Sequence, residues 1–296
     1  MKKGELFIAV VIGGSVLFFL LLMLLTLVGV FQNSSGLALS GDRIGHIRVT
    51  GVISSSNEIV SQVKRYAGDK SIPVILLDIN SPGGGVAASQ EIYEELVKAR
   101  AEGKKVVASM RSVAASGGYY IACAADTIVA NSGTITGSIG VIFEFPVVEE
   151  LLRKVGVKFE VVKSGELKDV GSTWRDMKPQ ERQMLQNLID DAYQQFVEVI
   201  IKERGLTRRE VLRLADGSVF TGRMAKNLKL VDELGTFEDA VLIAAEMAGI
   251  KGEPRLIRER PKRPVSVWDV LGQAAESINP LSDNERFFPK LEYRYR

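Results

Sequence analysis

Residues 7 to 31 form a run of 25 positions without a charged side chain, interrupted only by Gly13, Gly14, Ser15, Thr26 and Gly29. At ~1.5 Å rise per residue the run makes roughly 37 Å of helix, enough to cross a ~30 Å hydrocarbon layer with some tilt. It predicts a transmembrane anchor over 7–31 behind a short N-terminus, 1–6. Lys2 and Lys3 favour a cytoplasmic N-terminus, which puts the rest of the chain on the extracytoplasmic side. A cleaved leader is the competing reading, with Ala38-Leu39-Ser40 as a small-x-small site. Against it, the apolar run is longer than the ~7 to 15 residues usual for a leader core.

Residues 32–43, rich in Ser and Gly, read as a linker. After them the period changes from strand to helix and back. Ile44 to Ile53 alternates apolar and polar positions, and Val74 to Ile79 is a short apolar run suited to an interior parallel strand. A helix follows from about Val86, with Ala88, Ile92, Leu96 and Ala99 on one face and Gly103 as its stop. Lys105 to Met110 is a third strand. Pro179 opens the longest helix, which Gly205 ends. This βαβα order predicts an α/β domain with a largely parallel sheet over 44–250. The remaining 251–296 hold five prolines and 10 Lys or Arg against 7 Asp or Glu, as an extended or loosely packed basic tail would. A segment that docks on a neighbouring subunit or reaches the active-site groove is the sharper reading of that tail.

Composition removes several classes. With 296 residues and 46% hydrophobic content the chain can bury one sizeable core or two small ones. A net charge of +2 gives no basis for a nucleic-acid partner. The single Cys123 excludes an intramolecular disulfide and a cysteine-rich metal site, and its apolar neighbours mark it as a packed helix residue. No metal or cofactor is expected. The glycine turn Gly83-Gly84-Gly85 could cradle a phosphate, but neither GxGxxG nor GxxxxGK[ST] is present.

The chemistry concentrates elsewhere. Ser116, in Ala115-Ser116-Gly117-Gly118, stands at the start of a predicted helix, 33 residues after Gly83. A serine hydroxyl attacks an amide only if a base removes its proton. The one histidine, His46, lies far upstream on the first predicted strand with no carboxylate near it in sequence, and reads as an edge-strand surface residue. The base is therefore expected to be a lysine, with Lys168, 52 residues after Ser116 on a turn following a short strand, as candidate and Lys163 as its rival. A neutral Lys168 would have to be shielded from anions, so the adjacent Asp169 should point away. The bland readings are an N-cap for Ser116, a solvated loop residue for Lys168 and a plain turn for the glycines.

These segments resemble the bacterial signal peptide peptidase A family, in its short single-domain form, within the superfamily of Clp-type proteases and crotonases. The resemblance covers roughly residues 44 to 250: Asp78-Ile79-Asn80-Ser81-Pro82-Gly83-Gly84, the Ser116 box, Thr136-Gly137-Ser138-Ile139-Gly140, the Lys168 box, Gly217 to Gly222 and Leu230 to Gly235. It implies a crotonase-like ββα superhelix and a membrane-anchored serine endopeptidase with a Ser116/Lys168 dyad. Gly83, with Gly84 beside it, would supply the oxyanion donors, and Ser138 would hydrogen-bond the lysine amine. The implied substrates are remnant signal peptides and other unfolded apolar peptides, and the implied assembly is a ring of identical subunits. A crotonase-like acyl-binding or assembly module and a stomatin-associated Ser/Lys protease are the alternatives. A histidine base after the nucleophile, as in the Clp proteases, has no counterpart here.

Overall fold

The computed structural model describes residues 43–258 and 292–294. The expected anchor at 7–31 and the linker up to residue 42 lie outside them. Among the described residues no helix is long and apolar enough to cross a membrane.

The sheet is built around β2 (Val74–Ser81), in which Asn80 alone is exposed. A strand buried on both faces needs neighbours on both edges, and β2 has them: β1 (Arg43–Thr50) on one side and β4 (Lys105–Ala115) on the other, both parallel. In sequence β2 is followed by the three-residue glycine strand β3 (Gly83–Gly85), which stands outside this sheet. The long β4 has two successive partners on its outer edge. Val107 to Met110 pair with β5 (Thr127–Ala130), and Val113 to Ala115 pair with β6 (Ile135–Gly137), both parallel. The change of partner accompanies a register shift against β2 between Ile79 and Ser81. β7 (Val219–Thr221) is antiparallel to β6, and the two-residue β8 (Glu233–Leu234) is parallel to β5.

Helices cover both faces. On one, α1 (Asn57–Gly68), α2 (Val86–Ala101), the six-residue α3 (Gly117–Ala122) and α5 (Pro179–Arg204) share a core with Ile75, Leu77 and Ile79. Between α3 and α5 stands a short surface helix, α4 (Glu149–Lys154), with no buried residue. Of two further short helices, α6 (Arg208–Leu214) packs on α5, and α7 (Gly222–Asn227) packs against β6, β7 and β8. The opposite face, formed by Ile44, Val74, Leu76, Val107 and Val129, is closed by α8 (Phe237–Met247) through Phe237, Ala240 and Ala244.

The helix expected from Val86 and the one from Pro179 to Gly205 form as read, Gly205 taking a left-handed φ of 62° at the C-cap. Two parts of the C-terminal stretch are strands rather than solvated chain. β9 (Arg255–Arg258) extends the sheet parallel to β1, and β10 (Glu292–Arg294) lies antiparallel on β3. One expected element is missing. Residues 157–163, ahead of Lys168, form no strand, although Val157, Phe159 and Val161 alternate with charged residues; all three are exposed, and among the described residues no strand pairs with them.

Candidate functional site

Ser116 terminates β4 and begins α3, at φ 54° and ψ −117°, a conformation that few non-glycine residues adopt. The turn is fixed from both sides. The Ser116 N–H donates to the Gly137 carbonyl at 2.8 Å, and the Ser116 carbonyl accepts from Tyr120 N–H at 2.8 Å. Gly137 in turn must lack a side chain, because a Cβ there would lie 2.6 Å from the Phe220 ring. Ser138 N–H donates to the Ser218 carbonyl at 2.7 Å. The boxes around Gly137 and around Ser218 to Gly222 therefore brace the Ser116 turn. This strand, strained serine and helix arrangement is the geometry by which nucleophile elbows project a hydroxyl.

Ser116 Oγ does not cap α3, which disposes of the N-cap reading. It is buried, with the residue 1% exposed, and has no hydrogen-bond partner among the described residues. A buried hydroxyl without a partner is costly in a structural role, so the group is held for something that arrives later.

The glycine strand runs beside it. Gly84 is pressed onto Ile53, where a Cβ would come within 2.3 Å of the Ile53 carbonyl oxygen. Ile53 N–H donates to the Gly83 carbonyl at 2.9 Å, and Gly85 N–H donates to the Ile53 carbonyl at 2.8 Å. Because successive residues of a strand face opposite edges, Gly84 turns its own N–H and C=O to the other edge, where Tyr293 of β10 is its partner in register. The Gly83 N–H is directed at Ser81 Oγ, 3.1 Å away. Of the two expected oxyanion donors, Gly84 faces the edge on which β10 lies, and Gly83 is held by Ser81. Ile53 acts through its backbone, which leaves no residue-type signature, and was not singled out in the sequence. Ser81 stood in the box from Asp78 to Gly84 without a role, and it acts through its hydroxyl.

Lys168 is exposed, and no hydrogen bond joins its Nζ to Ser116 or Ser138 among the described residues. Asp169 does point elsewhere: Lys163 and Arg175 ion-pair with its carboxylate. Hydrogen bonds from Arg175 and Lys163 hold Asp169 below the usual carboxylate range. Lys163 is thereby tied to Asp169, whereas Lys168 has no anionic partner among the described residues. Ser138 is buried, at a left-handed φ of 49°.

His46 is not a surface residue. It is 4% exposed, with Nε2 3.2 Å from Asp78 Oδ2, while Nδ1 accepts from Arg258 Nε at 3.0 Å. The carboxylate absent from its local sequence arrives from the neighbouring strand. Both nitrogens are occupied on the α8 face of the sheet, so His46 is not available as a base for Ser116. Cys123 is buried, and burial pushes its thiol up to about 12, which makes it a packing residue.

A parallel α/β core that ends a strand in a strained, buried serine beside a glycine strand defines the Clp-like class of serine hydrolases, and the Clp protease model matches residues 42–132. The peptidase family S49 model matches residues 98–251, more than half of the chain, and the protein belongs to that family of serine peptidases. It is 49% identical over 209 residues to a putative protease of Synechocystis, covering 70% of this chain and 75% of that one. It is 36% identical to a putative signal peptide peptidase SppA of Enterococcus faecium, over 68% of this chain and 62% of the relative. A chloroplastic serine protease of Arabidopsis thaliana is 32% identical over 84% of this chain, which spans only 39% of that longer protein. Family membership sets aside the acyl-binding module.

Proposed function

We propose that the protein is a membrane-anchored endopeptidase in which Ser116 is the nucleophile and Lys168 the general base, acting on unfolded apolar peptides such as remnant signal peptides. The observation that carries the reading is the unpartnered, buried Ser116 Oγ at a strained turn beside the glycine strand. In this mechanism Lys168 Nζ takes the hydroxyl proton as Oγ attacks the scissile carbonyl. The oxyanion is met by the glycine N–H groups, and the ammonium returns its proton to the leaving amine before water hydrolyses the acyl-enzyme. The outer edge of β3 suits an extended peptide: Gly84 presents N–H and C=O to an added strand, and the backbone of residues 292–294 takes that position.

Lys168 supports a particular geometry. It stands exposed between a segment whose Val155, Val157, Phe159, Val161 and Val162 are exposed and Trp174, which is exposed as well. A strand-like apolar segment left uncovered is a surface for another chain. In this reading the arms of neighbouring copies in a homo-oligomeric ring cover one another and bring Lys168 of one copy to Ser116 of the next. The predicted anchor at 7–31 holds the ring on the extracytoplasmic side of the membrane.

Mixing tests both parts. Ser116→Ala and Lys168→Ala should each lower peptide turnover by about 10³-fold or more while the protein stays folded. Co-assembly of the two inactive variants should restore activity, because some sites then combine an intact serine with an intact lysine. Lys168→Ala retaining more than about a tenth of the wild-type rate, under 1.4 kcal/mol of barrier, would refute the base assignment. Restoration failing in mixed oligomers would place both residues in one chain.

A further inference from the structure

Ser81 is fully buried at the junction of β2 and the glycine strand. Its hydroxyl donates to the Gly51 carbonyl at 2.6 Å and accepts the Gly83 N–H at 3.1 Å. Its backbone carbonyl lies against α3, where a Cβ on Gly118 would approach to 3.0 Å. One residue thus touches the glycine strand, the turn after β1 and the helix that follows the nucleophile.

A hydroxyl has one proton. Here it is spent on Gly51, so the oxygen can only present lone pairs to Gly83. Donating to Gly51 also polarises the oxygen as an acceptor. Without it the buried Gly83 N–H would have no partner before substrate arrives and its peptide plane would be free to turn. With it, the donor is aimed and satisfied by a neutral oxygen at the long end of the hydrogen-bond range. A developing oxyanion is a much stronger acceptor than a neutral hydroxyl, since bonds to charged groups are roughly twice as strong.

We propose that Ser81 is a positioning residue of the oxyanion site, holding the Gly83 N–H in place at rest and yielding it to the substrate oxygen as negative charge develops there. The inference rests on the reading of Ser116 as nucleophile. It separates Ser81 from an ordinary turn serine by when its effect is felt: in the tetrahedral state and not in ground-state binding.

The test compares ligands that differ in that respect, using the full chain in detergent. A peptide boronate forms a tetrahedral anion on Ser116; the corresponding cleaved peptide binds only along β3. Ser81→Ala should lower kcat about tenfold with KM changed less than about twofold, and weaken the boronate about tenfold with little effect on the cleaved peptide. Ser81→Cys, close in size and a weak acceptor, should show the same selective loss if Ser81→Ala folds poorly. Thr134→Val serves as a control. It removes a buried hydroxyl that donates to the Arg111 carbonyl at 2.7 Å, and should leave the ratio of boronate to product affinity unchanged. Equal weakening of both ligands, or a kcat change under about twofold in Ser81→Ala, would overturn the proposal. Failure of the wild-type protein to form any adduct at Ser116, with boronate or fluorophosphonate, would instead strike the nucleophile assignment.

Discussion

Asp78 is a carboxylate kept ionised in a nearly dry place. Burial alone would raise its pKa, but hydrogen bonds from His46 and Arg111 outweigh burial and bring it from 3.8 down to about 2. Arg111 holds both oxygens, with Nε 2.5 Å from Oδ1, and lies 4.2 Å over the Phe237 ring. A carboxyl whose pKa is lower in the folded state stabilises that state above its unfolded pKa, and loses the contribution as pH falls through the folded value. About 2 kcal/mol of stability should therefore be present at pH 5 and disappear between about pH 4 and pH 2. Urea titrations across that range should show the loss in wild type and a much flatter response in Asp78→Asn. His46→Ala should cost stability, since it strips a partner from a buried charge, and leave turnover of the folded fraction near wild type. The pairing was illegible in sequence because its members sit 32 residues apart and meet only through the parallel register of β1 and β2.

Among the elements, β3 is the one with the least freedom. Its middle residue has no room for a methyl group against Ile53, so Gly84→Ala must push β3 away from Ile53 or break its two bonds to that residue. The expected outcome is loss of peptide turnover and of fluorophosphonate labelling, with the thermal transition of the α/β body lowered by a few degrees at most. A variant that labels at the wild-type rate would show that β3 tolerates displacement. The interior strands and the long helices were readable because their periodicities reflect burial on two faces or one. Helix α1 was hidden behind Ser54-Ser55-Ser56, which reads as loop, and Ser56 spends its hydroxyl on Glu91 rather than on capping the helix. The strand expected before Lys168 fails for the converse reason. Its pattern is present, but a ladder needs a second strand, and among the described residues none lies beside it.

At the scale of the whole molecule, the chain returns to its own site. β10 occupies the β3 edge that an incoming peptide would use, and a tethered competitor acts at an effective concentration on the order of mM. A chain ending at Arg258, which keeps β9 and loses β10, should show a higher kcat/KM on short unfolded peptides, mainly through KM. An unchanged KM would mean that the tail strand leaves before substrate binds. Ser116 is buried and Lys168 exposed, and the sharing of one site by two copies proposed from this bears on inheritance. If each working site is shared by two copies, a Lys168→Ala chain in a mixed ring spoils the neighbour's site that needed its lysine, while its own serine still works with the next copy's lysine. Two alleles that are each inactive alone, Ser116→Ala and Lys168→Ala, would then complement one another in a cell that carries both, whereas an allele that makes no protein would complement neither.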